Sequence, residues 1–324
     1  MFAGEIFAPR QVRLIEVPDA TLDAGPADTG RILFQPELAC LCGSDTPYFE
    51  GGYPDFQPRV GQSLHEMIGV VVASDGSRFD AGTRVLTVPD DQAGLFERFS
   101  VSDDRAIPLD ARIPEEQGLL AQPLGTVIYA LKKLPGLIDQ DVVVVGQGPI
   151  GQLFCACVSN LGARQVIAID PIASRLEVSP RMGATSTLAA TGDDAIAEVR
   201  RLTDGAMADV VIEAVGRREQ ALNLCVELCR REGRLLAFGR PEATVEGVRW
   251  DRIYRKNLNL QMSVDPDFTR DYPLAMRWIV EGRIDVSPIV THRFGLDDLQ
   301  TAFETFTDRT DGALKVFIDF RCRN

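Results

Sequence analysis

The chain has 324 residues, 45% of them hydrophobic, so it is long enough for about two globular domains with full cores. Its 47 acidic and 34 basic residues give a net charge of −13, which disfavours nucleic acid and anionic membrane surfaces as partners. No apolar stretch is long enough to span a membrane, the start has no signal-peptide pattern, and the seven cysteines lack a secreted disulfide spacing. We therefore expect a cytoplasmic protein with reduced thiols.

The first third of the chain, from Arg10 to about Leu109, consists of short apolar alternations separated by turn residues. The segments RILFQPELA, GVVVASDG, TRVLTVP and LFERFSV are bounded by glycine, proline or aspartate. This period is typical of half-buried strands and predicts a β-rich, barrel-like domain. The stretch IPEEQGLLAQPLGTVIYALKKLPG that follows indicates a helical connector.

A continuous β-branched run, DVVVVG at residues 141–146, begins a different pattern. Such a run is typical of a parallel strand that is covered on both faces. A segment with apolar residues at helical spacing comes next, and QVIAID, ADVVIEAVG and GRLLAFG then follow as strands separated by helix-like segments. This alternation predicts an α/β fold with an open, doubly wound parallel sheet of the nucleotide-binding type.

The regular alternation stops near Asn259, and the tail has its own pattern. It contains an amphipathic helix around Leu299 and Phe303 and a last strand, LKVFIDF. We expect this tail to pack back on the first domain, so that the sheet domain is inserted in the middle of the chain. The predicted domains are residues 1–123, 124–262 and 263–324.

A glycine motif lies between the first predicted strand of the sheet domain and the helix that follows. In GQGPIG, Gly146, Gly148 and Gly151 have the GxGxxG spacing, with Pro149 and Ile150 between the last two glycines. The first glycine permits a tight turn, the second lets the backbone approach a pyrophosphate, and the third lets helix and strand pack closely. The motif therefore predicts a dinucleotide-binding loop.

An acid at the end of the next strand agrees with this interpretation. Asp170 stands about twenty residues beyond the glycines, where a carboxylate can accept hydrogen bonds from the adenosine ribose. The alternative is a turn residue at a strand end. Because an acid there repels a 2′-phosphate, the predicted cofactor is NAD, with NADP as the second choice. Arg175 could soften that preference, although a surface salt bridge is an alternative role for it.

A thiol, an imidazole and a carboxylate form a candidate metal site in the first domain. Cys42 lies in ACLCGSD, and His65 and Glu66 lie next to each other in GQSLHEMIGVV, ahead of an apolar strand. These are the ligand types of a zinc site that keeps a position open for water or substrate. The spacing alone is not diagnostic, because Cys42 could be a small buried hydrophobe and the other two residues hydrogen-bonded rim residues.

The segments CGSD and SLHEMIGVVV resemble the CGxD and GHE-xxGxV elements of the zinc-dependent medium-chain dehydrogenase/reductase family, which includes alcohol, sorbitol and threonine dehydrogenases. FDAGTRVLTVP, AQPLGTVIYAL, GQGPIGQL, GAMADVVIEAVG and ALKVFIDF follow in the family's order through nearly the whole chain. The resemblance implies a GroES-like β-barrel catalytic domain over 1–123, an inserted Rossmann NAD-binding domain over 124–262 and a return to the catalytic domain over 263–324. It also implies one catalytic zinc per chain in the cleft between the domains, and a homodimer or homotetramer.

Site residues follow from this resemblance position by position. Cys42 and His65 match zinc ligands, and Glu66 matches an adjacent acid that ligates the metal in the polyol enzymes and stands just outside it in others. Ser44 matches the hydroxyl that receives the substrate proton. Lys315 matches a basic position near the cofactor pyrophosphate, the alternative being a solvated lysine at a strand end. The implied activity is NAD-linked oxidation of a secondary alcohol or polyol, or reduction of the ketone, by hydride transfer.

Three departures from the family pattern bear on that activity. Gln122 stands where the family has a cysteine or an acid as a further ligand, and a neutral amide is a poorer zinc ligand. Either Glu66 completes the shell or metal binding is weakened. Pro47 replaces a histidine that ends the proton relay in many members, so the proton must leave through water or Tyr48. LTVPDDQAGLFERF runs through the place of the four-cysteine structural zinc lobe, which leaves one metal per chain as the ceiling.

Two alternatives therefore remain beside the zinc dehydrogenase. The first is a metal-free NAD(P)H reductase of the quinone or enone type from the same family, although those enzymes usually lack the cysteine and the His-Glu pair. The second is an NAD-binding protein that has lost catalysis through its changes at Gln122 and Pro47. The identity of the substrate does not follow from the sequence.

Overall fold

The computed structural model describes residues 1–22, 30–52, 57–75 and 78–322. Strands form where the apolar alternations and β-branched runs lie, and helices form where apolar residues recur at helical spacing. The strands are β1 (Phe2–Ala8), β2 (Gln11–Glu16), β3 (Arg31–Cys40), β4 (Arg59–Val60), β5 (Glu66–Ser74), β6 (Arg84–Thr87), β7 (Phe99–Ser102), β8 (Ala106–Pro108), β9 (Asp141–Val145), β10 (Gln165–Ile169), β11 (Ser186–Leu188), β12 (Ala208–Glu213), β13 (Cys229–Ala237), β14 (Asn259–Met262), β15 (Val290–Gly295) and β16 (Lys315–Asp319). The helices are α1 (Thr46–Glu50), α2 (Glu115–Leu119), α3 (Ala121–Leu131), α4 (Pro149–Asn160), α5 (Ala173–Leu176), α6 (Gly192–Leu202), α7 (Glu219–Leu228), α8 (Trp250–Lys256), α9 (Asp271–Val280) and α10 (Leu299–Asp308).

The described chain forms two compact units. Unit 1 comprises Met1–Gly125, Asp267–Val280 and Val290–Asn324, and unit 2 comprises Thr126–Pro266 and Glu281–Ile289. These limits run close to the predicted domain boundaries, except that residues 281–289 group with unit 2 and not with the C-terminal return. Among the described residues, no helix combines the length and the apolar content that crossing a membrane requires.

Unit 1 is β-rich, as the alternating segments predict. A seven-stranded sheet has the order β15-β16-β3-β5-β6-β8, with β7 also paired to β3, and a three-stranded sheet has the order β2-β1-β4. The sheets enclose an apolar core that includes Phe34, Met67 and Val71, and Phe303 of α10 belongs to the same core. The C-terminal strand β16 pairs antiparallel with β3, in the same sheet as the strands of the first third of the chain.

Unit 2 contains an all-parallel, six-stranded sheet in the order β11-β10-β9-β12-β13-β14. This is the strand order of a doubly wound dinucleotide-binding sheet, in which the strands that follow in the chain are added first on one side of the starting strand and then on the other. The starting strand in chain order is β9, which is buried along its whole length, as its continuous β-branched run predicts. The predicted open parallel sheet is confirmed, and the glycine loop lies at the carboxyl end of β9.

Two details of the predicted elements were wrong or missing. The four-residue spacing of Cys225 and Cys229 predicts that both lie on one helix, but α7 ends at Leu228 and Cys229 begins β13. The interpretation that the alternation stops near Asn259 missed β14, whose NLQM sequence has too few β-branched residues to indicate a strand. Both differences arise because pairing with neighbouring strands, and not local preference, decides the conformation there.

Candidate metal centre and dinucleotide loop

Cys42 lies in the turn between β3 and α1, and Asp45 fixes that turn. The fully buried carboxylate of Asp45 accepts a hydrogen bond from the backbone N–H of Cys42 at 2.7 Å. Its other oxygen accepts the backbone N–H of Leu64 at 3.0 Å. One side chain therefore joins two segments that are far apart in sequence, and it brings the thiol of Cys42 towards the residue that follows Leu64, His65.

His65 lies just before β5, with its side chain 11% exposed. Leu64 ahead of it has a φ of 65°, a region that L-residues rarely adopt, and its bond to Asp45 holds this conformation. The buried Nδ1 of His65 has no hydrogen-bond partner, and Oδ1 of Asp45 lies 3.8 Å from it. The imidazole ring is thus held beside a buried carboxylate, as the metal-binding histidines of proteins commonly are.

The pKa shifts of His65 and Asp45 also favour a cation at the imidazole. Burial on its own lowers the pKa of His65, but Asp45 and Cys42 outweigh it and raise that pKa well above its ordinary value. Burial on its own raises the pKa of Asp45, but the neighbouring imidazole and the N–H groups of Cys42 and Leu64 lower it overall. Asp45 is therefore an anion, and it creates a negative field in which a proton or a metal cation is favoured at His65.

Glu66 begins β5 and is paired in register with Cys40 on β3. Its buried carboxylate receives two contacts on the same oxygen, Oε2: the ammonium of Lys315, which begins β16, and the thiol of Cys40 at 2.8 Å. Lys315 is 1% exposed and also donates to the carbonyl of Leu41 at 3.4 Å. The alternative interpretation of Lys315 as a solvated strand-end lysine is wrong, because its charge is buried in an ion pair.

Neighbouring anions keep this buried lysine charged. Burial on its own lowers the pKa of Lys315, but the adjacent Glu66 carboxylate and the thiolate form of Cys42 raise it overall. Burial and the adjacent Glu66 raise the pKa of Cys40 well above its ordinary value, so its thiol is a neutral donor. Both contacts use Oε2, which leaves Oε1 of Glu66 available to a metal.

The thiol, imidazole and carboxylate that the sequence predicted as a site are brought together. The ligand atoms of Cys42, His65 and Glu66 all lie within 4.8 Å of one another, and within residues 1–22, 30–52, 57–75 and 78–322 they are the one such group of three. Ligands on one tetrahedral zinc ion stand about 3.5 Å apart, so small side-chain rotations close the group around an ion.

The charges of the group also fit a divalent cation. With Cys42 as a thiolate and His65 neutral, as metal binding requires, Cys42, Asp45 and Glu66 carry three negative charges against one positive charge on Lys315. Two negative charges remain without a compensating positive charge in a largely dry environment, which is costly. One zinc ion neutralises them, so the residues present fit the predicted metal.

Ser44 and Gln122 complete the predicted residues of unit 1. Oγ of Ser44 is buried and has no hydrogen-bond partner, although it stands two positions from Cys42. An unpaired buried hydroxyl destabilises a fold and marks a position where a ligand can supply the missing bond. Gln122 lies in the first turn of α3 with 6% exposure. Its predicted catalytic role stays a prediction.

The glycine loop in unit 2 has the geometry that its spacing predicts. Gly146 has a φ of +95°, and a side chain there would meet the backbone of Ala214 at 2.9 Å. A Cβ on Gly151 would lie 1.8 Å from the carbonyl oxygen of Gly146, so helix and strand pack too closely for any other residue. A Cβ on Gly148 would meet only the Arg175 guanidinium, at 3.9 Å. Gly148 thus leaves open space at the start of α4.

The helix α4 begins at Pro149, after Gly148 as its N-cap, and Ile150 follows in its first turn. A twelve-residue helix directs its free N–H groups and the positive end of its dipole at this opening. Such an arrangement can bind an anion, which is the role that the GxGxxG pattern predicts. The cofactor role of Pro149 and Ile150 stays a prediction.

Asp170 follows β10 and is 3% exposed, with both carboxylate oxygens in use. Oδ2 accepts the N–H of Gln147 in the glycine loop at 2.8 Å, and Oδ1 accepts the N–H of Ile172 at 2.8 Å. Arg175 lies 3.8 Å from Oδ2. The acid therefore fixes the loop as well as standing at the strand end, a contact that the sequence interpretation did not foresee.

Comparisons with known proteins agree with this geometry. Residues 149–281 match the model of a family described as zinc-binding dehydrogenase. The chain is 26% identical to L-idonate 5-dehydrogenase (NAD(P)(+)) of Escherichia coli (strain K12), covering 93% of this chain and 94% of that one. It is 27% identical to L-threonine 3-dehydrogenase of Deinococcus deserti, covering 92% and 93%.

Among solved structures, the fold is similar to that of alcohol dehydrogenase TADH from Thermus sp. ATN1, with a TM-score of 0.87 and 24% identity over 99% of this chain and 100% of that one. At this identity the likeness concerns the fold alone. Together with the matched family and the relatives that cover nearly the whole chain, it confirms the resemblance seen in the sequence. Over nearly its whole length the chain is similar to dehydrogenases of L-idonate and L-threonine, and residues 149–281 match the zinc-binding dehydrogenase family.

Proposed function

We propose that this chain is a zinc-dependent dehydrogenase that oxidises a secondary alcohol or polyol with NAD, or reduces the corresponding ketone. The observation that carries the proposal is the group of Cys42, His65 and Glu66, whose ligand atoms lie within 4.8 Å of one another. The relatives are named as dehydrogenases of L-idonate and L-threonine, which supports hydroxyl compounds as the substrate class.

Cys42, His65 and Glu66 hold the zinc in this proposal, and Asp45 orients His65 from behind. When bound, zinc supplies a Lewis acid that lowers the pKa of the substrate hydroxyl. Glu66 completes the shell through Oε1, because its other oxygen is occupied by Lys315 and Cys40. We assign Lys315 to this charge balance instead of the cofactor pyrophosphate, since its ammonium is buried against Glu66.

Ser44 takes the substrate proton in this mechanism. Its Oγ is buried without a partner, so a substrate hydroxyl can supply the bond it lacks. Pro47 has no side-chain group to pass the proton on, and the exit runs through Tyr48 or water. Gln122 donates a hydrogen bond to the substrate from the start of α3, the one catalytic task that suits a neutral amide there.

The glycine loop of unit 2 holds the cofactor's phosphates. The N–H groups of Gly148, Ile150 and Gly151 at the start of α4 bind them in this proposal, while Gly146 permits the turn and Pro149, which has no N–H, begins the helix. Bound NAD supplies the oxidant for the substrate carbon. We propose NAD over NADP because the buried charge of Asp170 stands beside this loop and repels a 2′-phosphate. The partly exposed Arg175 reduces that preference without reversing it.

A zinc assay coupled to a screen of polyols, amino alcohols and cyclitols for NADH production tests the proposal. We expect about one zinc per chain and turnover of one substrate class. Cys42→Ser should lose both the zinc and at least about 10³-fold of kcat/KM, since the metal's charge stabilisation is worth several kcal/mol. Cys157→Ser, a buried thiol of α4, is the matched control and should keep both.

Other outcomes of the same experiment point to the alternatives. Full activity in a zinc-free preparation, especially on quinones or enones, would identify a metal-free reductase of the same family. Binding of NADH without turnover of any alcohol or ketone would identify a binding protein that has lost catalysis. Preference for NADPH in the kinetic screen would overturn the cofactor assignment alone.

We also propose that the protein is cytoplasmic and homo-oligomeric. All seven cysteines are unpaired, which agrees with a reducing compartment. β14 is the last strand of the sheet in unit 2, and it carries Met262 at 58% exposure, with Val264 just beyond it at 71%. An exposed apolar edge strand is a template for pairing with a second copy. Sedimentation should give a dimer or tetramer, and Met262→Lys should weaken it; a monomer in the wild type contradicts the proposal.

A further inference from the structure

A buried polar cluster joins the glycine loop of unit 2 to the segment that follows β10. Gln147, Gln152 and Ser179 are each 0% exposed. Polar side chains in such positions destabilise a fold unless they are hydrogen-bonded. None of the three is a glycine of the motif or the acid at the strand end. Their presence in the core beside the loop therefore needs its own explanation.

Hydrogen bonds run through the cluster in one direction. Nε2 of Gln152, on α4, donates to Oγ of Ser179 at 3.0 Å, and that hydroxyl donates to Oε1 of Gln147 at 3.3 Å. Nε2 of Gln147 then donates to the carbonyl of Val144 on β9 at 3.0 Å. The side chain of Gln147 is thus directed back onto β9, and its backbone forms part of the glycine loop.

Gln152 also holds two backbone segments at once. Its Nε2 lies 2.8 Å from the carbonyl oxygen of Arg175 and 3.3 Å from that of Gln147. Arg175 in turn places a guanidinium nitrogen 3.8 Å from Oδ2 of Asp170 and 3.9 Å from the position of a Cβ on Gly148. The amide of Gln152 therefore sets the distance between the N–H groups of the glycine loop and the guanidinium of Arg175.

Packing alone does not account for this amide. Oε1 of Gln152 is buried and has no hydrogen-bond partner, which destabilises the folded state. A leucine would fill a similar volume without that unpaired acceptor. The amide is retained for what its nitrogen holds, which is the relative placement of the glycine loop and the segment of Arg175.

We propose that Gln152 is a positioning residue for the cofactor, and that it aligns the glycine-loop N–H groups and the Arg175 guanidinium on the same anionic ligand. This inference rests on the proposed function and narrows it to the pyrophosphate of the dinucleotide. Alignment of donors on a charged group is worth more than the bonds that maintain it, because a misplaced donor is lost to the ligand.

The test compares Gln152→Leu with Gln165→Leu. Gln165 is the first residue of β10 and so lies at the amino ends of the parallel strands, away from the glycine loop at their carboxyl ends. Its amide also donates two hydrogen bonds, to Asp141 and Leu202. For Gln152→Leu we expect the Kd of NADH and the inhibition constant of ADP to rise together about tenfold. The kcat at saturating NAD should stay within about twofold, and thermal stability should fall no more than in Gln165→Leu. Gln165→Leu should leave both constants unchanged.

Other results separate this inference from the function it rests on. If the wild type binds NADH and Gln152→Leu binds it equally well, the positioning role is wrong while the dehydrogenase stands. If the wild type binds neither NADH nor NADPH, both are overturned. Should Gln152→Leu fail to fold, Ser179→Ala removes the hydroxyl that bridges Gln152 to the side chain of Gln147 and keeps the bond to Arg175. A rise of about threefold in the Kd of NADH is then expected.

Discussion

At the scale of single residues, Asp45 determines whether the thiol and the imidazole can share a metal. Its carboxylate accepts N–H groups from both Cys42 and Leu64, so an amide in its place must turn a donor towards one of them. We expect Asp45→Asn to lower zinc affinity about 10–100-fold, the usual effect of losing a residue that orients a metal ligand. Competition with a chromophoric chelator measures this.

The matched control for that prediction is Asp103→Asn. Asp103 is another buried carboxylate of unit 1 that accepts a backbone N–H, that of Arg78 at 3.0 Å, and it is not in the metal group. It should lose stability without losing zinc affinity. Equal zinc affinity in Asp45→Asn and the wild type would mean that the backbone alone fixes Cys42 and His65.

The ion pair of Lys315 and Glu66 is a second prediction at this scale. Both side chains are 1% exposed, so removing one leaves the other as an unpaired buried charge. We expect Lys315→Met to lower the free energy of unfolding of the zinc-free protein by about 3–5 kcal/mol. Combining it with Glu66→Gln should recover most of that loss. Urea denaturation in the presence of a chelator measures both, and additive losses would contradict a coupled pair.

At the scale of elements, two glycines of the glycine loop are required for different reasons, one for packing and the other for ligand binding. A Cβ on Gly151 would clash with the carbonyl of Gly146 at 1.8 Å, whereas a Cβ on Gly148 meets only the tip of Arg175 at 3.9 Å. We expect Gly151→Ala to unfold or strongly destabilise unit 2. Gly148→Ala should keep the thermal stability of the wild type and lose about tenfold or more in NADH affinity, because its methyl group occupies the approach of the pyrophosphate.

Calorimetry and NADH titration of the two glycine variants check this prediction. The wild type and Gly162→Ala serve as references. Gly162 is a turn glycine after α4 with a φ of +89°, so an alanine there should lower thermal stability without changing NADH affinity. Unchanged NADH affinity in Gly148→Ala would mean that the loop is an ordinary strand-to-helix turn. The dinucleotide assignment would then lose its main support in unit 2.

An ion-pair network connects α2 to the strands of unit 1 and gives a pH dependence. A hydrogen bond from Arg321 lowers the pKa of Glu115 to about 2 from an ordinary 4.5, against the opposing effect of burial, and Arg84 and Arg293 add to it. Because the folded-state pKa is lowered, the stabilisation is present above pH 4.5 and disappears as the pH falls towards 2.

Glu115→Gln should therefore remove part of the acid sensitivity of the fold. We expect it to cost about 1–2 kcal/mol at pH 6 and almost nothing at pH 2, a reduced value because the arginines are partly exposed and screened. Glu198→Gln, which breaks an exposed pair with Arg201 on α6, is the control and should cost little at either pH. Parallel stability curves for Glu115→Gln and the wild type would contradict this.

At the scale of the whole molecule, periodicity predicted the architecture better than the site. The β-branched run of β9 predicted a parallel sheet, and the alternations of β3 and β5 predicted a β-rich, barrel-like domain. Both predictions were possible because a strand that is buried on both faces has a continuous apolar run, whereas a strand that is buried on one face alternates. The edge strand β14 was missed, since half-exposed edge positions leave little apolar signal.

The site was predicted through its ligands and not through what holds them. Cys42, His65 and Glu66 were recognised from residue type and family resemblance. The roles of Asp45, Cys40 and Lys315 depend on strand register and buried hydrogen bonds, which no sequence spacing reports. Asp45 carried one available signal, its place in the CGSD segment beside Cys42.

The central claim is that Cys42, His65 and Glu66 bind one zinc ion that the reaction requires. Anomalous diffraction at the zinc absorption edge, on crystals of protein whose activity has been measured, tests it most directly. We predict a single zinc peak per chain bonded to Sγ of Cys42, a ring nitrogen of His65 and a carboxylate oxygen of Glu66. A fully active protein with no zinc at that position would contradict it.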